Sequence, residues 1–344
     1  MQQAHRLGKM RGKCKIELLV YFIRKSCFAF VFLLNLPKAT AFAPFGSELN
    51  FRSIQARTSP SRGSLGVMLK PNTLKIAADI RQLYKPVQPT VRQSANNVTY
   101  SEFLPKITLQ PFIYCYWQLK TNQKLTEQFN YRVVADGCID IYFELNNPQE
   151  NYVMGFCKKF TEFPLDNTFN YVGVRFLPTI FPQLFRINAM ELSNRYEHLD
   201  LVVPHLADFI SNSFNKNQSQ EEIKLLFDKY FIDLISQSTF DNDNRLYGAM
   251  DIILKNFGVI DVETDLDTGI SSRQLRRLFE FYIGDTAKTF SKVVRFQNIL
   301  KAKPSTQSLR QNKLFFDMGY YDQSHFIKEF KNFYGVTPSK AFGR

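Results

Sequence analysis

The segments GISSRQLRRLF (residues 269–279) and GYYDQSHFIKEF (residues 319–330) are two copies of one pattern, the second with an extra residue in its turn. Each closes on a phenylalanine, Phe279 or Phe330, followed five residues later by a glycine, Gly284 or Gly335, and then by Asp-Thr-Ala or Val-Thr-Pro. Such internal repetition marks one supersecondary unit used twice. In each copy a glycine lets the chain reverse, a polar residue caps the next helix, and that helix carries one apolar face. Ser271 and Gln274 form an S-x-x-Q capping box, and Asp322 is the cap of the second copy. A short apolar helix is expected ahead of each glycine, over Val262–Asp267 and Leu314–Met318. The expected outcome is two helix-turn-helix units.

Helical periodicity turns Leu275, Leu278, Phe279 and Phe281 inward on the first recognition helix and leaves Arg273, Gln274, Arg276 and Arg277 outward. On the second, Phe326 and Phe330 turn inward and Gln323, Ser324, Ile327, Lys328 and Lys331 outward. Arginine pairs bidentately with guanine and glutamine with adenine at base edges, while flanking lysines suit phosphates. A charged helix face is usually only a solvated one. Here it recurs at matched spacing beside matched glycines and phenylalanines, which favours double-stranded DNA as the partner. Between the units, Thr286–Lys301 reads as one helix capped by Asp285, with Phe290, Val293, Val294, Phe296, Ile299 and Leu300 inward. A rigid connector of this kind would set the recognition helices about 34 Å apart, one DNA turn.

Charge follows the same division. The 344 residues carry a net +13, split as +9 over residues 1–67, −5 over 68–268 and +9 over 269–344. An acidic middle joined to a basic end suits a sensing or partner domain coupled to a polyanion-binding one. With 44% hydrophobic residues the chain can build two cores. The five cysteines, Cys14, Cys27, Cys115, Cys138 and Cys157, include no C-x-x-C pair, and the four histidines show no ligand spacing. Neither a disulfide framework nor a metal site is therefore expected. No catalytic residue or cofactor is expected either. Residues 1–43 imitate a secretory signal, but Arg24 and Lys25 split the apolar run, and no stretch is long enough to span a membrane. The expectation for residues 1–67 is an upstream extension, with the functional chain starting at Met68 in the cytoplasm.

The middle reads first as sheet and then as helix. From Tyr131 to Leu145 the chain alternates, with Ile139, Ile141, Phe143 and Leu145 on one face and Asp140, Tyr142 and Glu144 on the other. Val172, Val174 and Phe176 oppose Tyr171, Gly173 and Arg175 in the same way. Residues 110–180 are thus expected to form an antiparallel region, turning at Asn146–Pro148 and Pro164–Asn167. Ile223, Leu226, Phe227, Tyr230, Phe231, Leu234 and Ile235 then mark an amphipathic helix behind a Ser219–Glu222 capping box. Its apolar stripe packs either on the domain's own sheet or on a second copy.

The C-terminal pattern G-x-S-x-R-x-L-x-R-x-F, then G-Y-x-D-x-S-x-F-x-x-x-F-K-x-x-x-G-x-T-P, resembles the AraC/XylS family of transcription regulators over about residues 245–342. The resemblance places Arg273, Arg276 and Arg277, and Gln323, Ser324, Ile327 and Lys328, at base-reading positions. Ala287 stands where the family usually has proline, and the acidic Val262–Asp267 where it usually has an alanine-rich helix. Residues 135–143, 114–117 and 173–178 resemble the sensor domain of one branch of these regulators. That likeness implies an effector-sensing or partner-contacting role, with Asp136, Cys138, Asp140 and Arg175 either lining a pocket or making internal hydrogen bonds. The fold class expected is α+β: a β-rich domain with helices over residues 68–240, then an all-α double helix-turn-helix domain over 241–344. The expected function is sequence-specific DNA-binding regulation, such as activation. RNA polymerase, a small-molecule effector and a second copy of the chain are the further expected partners. The alternatives are a repair enzyme using a reactive cysteine and a nonspecific nucleic-acid binder.

Overall fold

The computed structural model describes residues 80–89, 97–304 and 318–342. The expectations for residues 1–67 and for the lead-in at 314–317 lie outside these. Strands β1 (Val98–Phe103), β2 (Ile113–Thr121), β4 (Ile139–Glu144), β5 (Asn147–Met154), β7 (Asn170–Phe176) and β8 (Tyr196–His198) form an antiparallel sheet in the order β1-β2-β7-β4-β5-β8. Strands β3 (Phe129–Val133) and β6 (Thr161–Leu165) pair as a separate ribbon. The single alternating run expected from Tyr131 to Leu145 is therefore two strands, parted at Gly137, whose φ of 72° breaks the extended backbone. The turn expected at Pro164–Asn167 begins later, since Pro164 and Leu165 still belong to β6.

Alternation decides what each face of the large sheet meets. Tyr116, Ile141, Phe143, Val153, Val172, Val174 and Phe176 join the core beneath the helices α1 (Ile180–Phe185), α2 (Pro204–Ser213) and α3 (Gln220–Gln237). Helix α3 starts at the Ser219–Glu222 capping box and buries Ile223, Phe227, Phe231 and Ile235. Phe227 stacks on Tyr116 at 5.0 Å, so the stripe is covered by the chain's own sheet. Asp228 fixes this packing from within, accepting hydrogen bonds from the Tyr116 hydroxyl at 3.0 Å and the Lys106 amide at 3.0 Å. The opposite face carries Trp117, Asp140, Tyr142, Tyr152, Tyr171 and Arg175 and lies under the β3–β6 ribbon.

Residues 238–243 are non-helical, and among the described residues the longer helices α4 (Asn244–Lys255), α5 (Ser272–Tyr282), α6 (Ala287–Ala302) and α7 (Gln323–Tyr334) follow, with the short α8 (Pro338–Phe342) after them. Helix α6 buries all six residues expected inward. Its cap is Thr286, not Asp285: the Thr286 hydroxyl accepts from the Thr289 amide, while Asp285 accepts from the Thr286 amide and lies 3.5 Å from the Lys158 amine.

Candidate nucleic-acid interface and internal cavity

Both recognition helices begin as expected. Ser271 and Gln274 close a reciprocal capping box at the start of α5, and Asp322 accepts from the His325 amide at 2.7 Å at the start of α7. Gly269 and Gly319 hold φ of 70° and 69°, and Gly284 and Gly335 hold 104° and 96°, so the repeat in sequence is a repeat in backbone conformation. Arg273, Gln274, Arg276 and Arg277 on α5 are exposed, as are Gln323, Ser324, Ile327, Lys328 and Lys331 on α7. Arg276 is partnered along its own helix by Glu280 at 2.7 Å. Two expectations fail here. Phe281 is 40% exposed, because it lies about 200° around the helix from buried Phe279, and it packs edge-on to Tyr282. The helix expected over Val262–Asp267 is absent. The chain makes a single turn there, closed by the Asp265 amide on the Asp261 carbonyl at 2.8 Å, and Val262, Thr264, Asp265 and Asp267 are weak helix formers that do not extend it.

The module is attached to the β region at the C-terminal ends of its recognition helices. Past α5, the backbone at Gly284 sits against Phe156 and the Ala189 carbonyl. At the end of α7, the Phe333 carbonyl accepts from the Ala135 amide, the Asn332 carbonyl from the Phe160 amide, and the Asn332 side chain donates to the Lys158 carbonyl. On α6, fully buried Gln297 donates to the Ala135 carbonyl at 2.7 Å and accepts from the Val87 amide at 2.7 Å. The N-terminal turns, where a recognition helix meets base edges, are left uncovered.

The loop 134–138 that carries this attachment also lines a cavity of about 320 Å³ between the large sheet and the ribbon. Asp136, Cys138, Asp140 and Arg175 all line it, and they also bond to one another. Register places Asp140 directly across from Arg175 on the neighbouring strand. The Arg175 guanidinium reaches Asp140 through Nη2 at 2.9 Å and lies 3.3 Å from Asp136, with Glu102 at 3.6 Å. Asp136 is held in turn by Gln88 at 2.8 Å and by the Cys138 amide at 3.0 Å. Burial pushes the Asp140 carboxyl up to about 6 against the opposing pull of Arg175. Burial also pushes the Cys138 thiol up, and the Cys157 thiol up to about 12.

Sequence reasoning missed the aromatic wall of this cavity. Trp117, Tyr131, Tyr142, Tyr152, Phe163, Tyr171 and Tyr196 line it, with Tyr142 5.5 Å from Tyr152, 6.3 Å from Tyr171 and 6.4 Å from Trp117 by ring centroid. Gly173 makes room for the indole, since a Cβ there would lie 2.3 Å from it. The signal was present: Tyr142 and Tyr171 fall on the strand faces that alternation assigns to polar residues. Bulky rings there announce a covered second face, not a solvated one. Among the described residues there is no cluster of three or more metal-ligating side chains, and no helix is long and apolar enough to cross a membrane.

Residues 267–344 match the family profile described as Helix-turn-helix domain, and residues 101–198 match that described as Domain of unknown function (DUF6597). No curated protein matches the chain. Among solved structures the chain is similar to ToxT from Vibrio cholerae O395, at 11% identity over 72% of this chain and 98% of that one, with a TM-score of 0.36. An apo lysine-to-alanine variant of ToxT from V. cholerae strain SCE256 gives 13% identity, 73% and 98% coverage and a TM-score of 0.37. ToxT bound to (E)-4-(8-methylnaphthalen-1-yl)but-3-enoic acid gives 13%, 72%, 97% and 0.27. Scores of this size record partial superposition only.

Proposed function

We propose that the protein is a sequence-specific DNA-binding transcription regulator in which the two helix-turn-helix units read successive major-groove segments. The observation that carries this reading is the pair of capped helices whose uncovered N-terminal turns present Arg273, Gln274 and Arg277 on one and Gln323, Ser324 and Lys328 on the other. The β region then acts as the sensor, its cavity holding a small-molecule effector. Loop 134–138 supports that coupling, because it lines the cavity and also bonds α6 and α7. Residues 241–344 are proposed as the DNA-binding domain and 68–240 as the sensor. The raised pKa of the Cys138 and Cys157 thiols counts against the reactive-cysteine alternative. Control of RNA polymerase and assembly as a homodimer complete the proposal. With the α3 stripe covered, exposed Leu225 on α3, and Leu104 and Ile107 flanking the Lys106 that bonds to the same helix, are what a second copy would cover.

The test is selection of bound fragments from random genomic DNA, followed by gel-shift titration on the selected and on scrambled sequences. A recovered motif with two half-sites about one helical turn apart supports the reading. Equal affinity for selected and scrambled DNA refutes it in favour of nonspecific binding.

A further inference from the structure

Resting on the sensor reading above, we propose that the cavity between the sheet and the β3–β6 ribbon binds an organic ammonium cation. Three observations converge on that class. The first is the wall: Trp117, Tyr142, Tyr152, Tyr171, Tyr196 and Phe163 line one space, and aromatic rings of this kind attract cations. Phe163 and Tyr196 close the side away from Trp117 at a centroid distance of 5.4 Å, so rings stand on more than one side of the volume. The second is charge. Among the lining residues, Asp136 and Asp140 face a single basic group, Arg175, and Glu102 adds a third carboxylate 3.6 Å from that guanidinium. Arg175 is ion-paired to all three carboxylates, with one buried nitrogen, Nη1, left without a hydrogen-bond partner, and the carboxylates outnumber it, so a cation meets an excess of negative charge. The third is size: about 320 Å³ is at the small end of ligand pockets, suited to a compact headgroup and not to a long chain.

The chain's one tryptophan, Trp117, is in the wall and donates its indole N–H to Asp140 at 3.0 Å, so its fluorescence reports on the cavity alone. The experiment titrates the full-length protein, without DNA, with benzyltrimethylammonium, neutral 3-phenylpropan-1-ol and anionic 3-phenylpropionate. The cation is expected to shift Trp117 emission and to bind about tenfold or more tightly than the alcohol, with the anion weakest. Tyr142→Leu should cost the cation about tenfold while costing the alcohol less. Because Tyr142 sits on a central strand, Tyr196→Ala on the edge strand β8, where the side chain is half exposed, serves as the second variant with the same expected direction. Asp140→Asn should narrow or invert the preference for cation over anion. Equal binding of the three probes, tighter binding of the anion, or no response to the cation overturns the proposal. The DNA selection experiment is independent of all three outcomes.

Discussion

The two helix-turn-helix units share caps, glycines and a terminal phenylalanine, yet they are anchored by opposite means at one repeat position. Where the first has Leu278, partly buried against the common core, the second has Glu329, buried beside Arg295 at 2.6 Å and accepting from the Tyr320 hydroxyl at 2.7 Å. Arg295 also lies over the Tyr320 ring at 4.0 Å, and Lys292 is 3.2 Å from Glu329. At this position dispersion holds α5 to its support, whereas on α7 a polar cluster adds to the aromatic contacts of Phe330 and Phe333 with Phe296 of α6. An apolar anchor tolerates loss of part of its contact. A buried ion pair that loses one partner leaves the other charged and stranded.

The sharpest way to break this comparison is Glu329→Ala, expected to destabilise the full chain by about 3 kcal/mol, against about 1 kcal/mol for the half-buried Leu278→Ala, both measured by denaturant unfolding. The anchors should also differ in pH response. Burial alone would raise the Glu329 carboxyl, but Arg295, Tyr320 and Lys292 outweigh it and hold it below the usual glutamate value. A depressed carboxylate contributes stability above its unfolded pKa and loses it as pH falls, so Glu329→Gln should flatten the acid limb of the stability curve. An unchanged acid limb would remove Glu329 as the anchor.

On DNA, Arg277→Ala should cost about 2 kcal/mol on the selected site and little on scrambled sequence, by gel shift. Lys331→Ala should weaken both and reduce the salt slope by about one. Equal losses on both sequences for Arg277→Ala would move that residue from base reading to phosphate contact. The turn glycines sharpen the contrast further: Gly269→Ala meets open space and should cost about 1 kcal/mol for its φ alone. Gly319→Ala should cost more, since its Cβ would lie 2.6 Å from Val259 Cγ1. The smallest difference is expected from Ser271→Ala and Asp322→Ala, each losing about 1 kcal/mol by thermal unfolding, because each cap satisfies an equivalent helix donor.

Much of this was legible because the signals are local. Capping boxes at Ser219 and Ser271, the Asp322 cap and the inward residues of α3 and α6 depend on spacings of three or four residues, which the chain itself sets. Local reading erred elsewhere. Asp285 reads as the cap although its neighbour Thr286 does the capping, and residues 262–267 read as a helix although Val262, Thr264, Asp265 and Asp267 favour it too weakly to extend one turn. The inward assignment of Phe281 stretches the apolar stripe too far, since its angle from Phe279 turns it outward.

The sequence by itself determined the repeat, its four left-handed glycines, the exposed basic faces and the alternation of the strands, since each follows from backbone geometry within a few residues. Only the tertiary structure decided what the polar strand faces meet. Register pairs Asp140 with Arg175 and sets Tyr142 opposite Gly173 and Tyr152, and the ribbon of β3 and β6 closes over them. That same closure carries loop 134–138 from the cavity to α6 and α7. These contacts join residues separated by up to about 200 positions along the chain, as at Ala135 and Phe333, and strand order and domain docking bring them together where local periodicity has no reach.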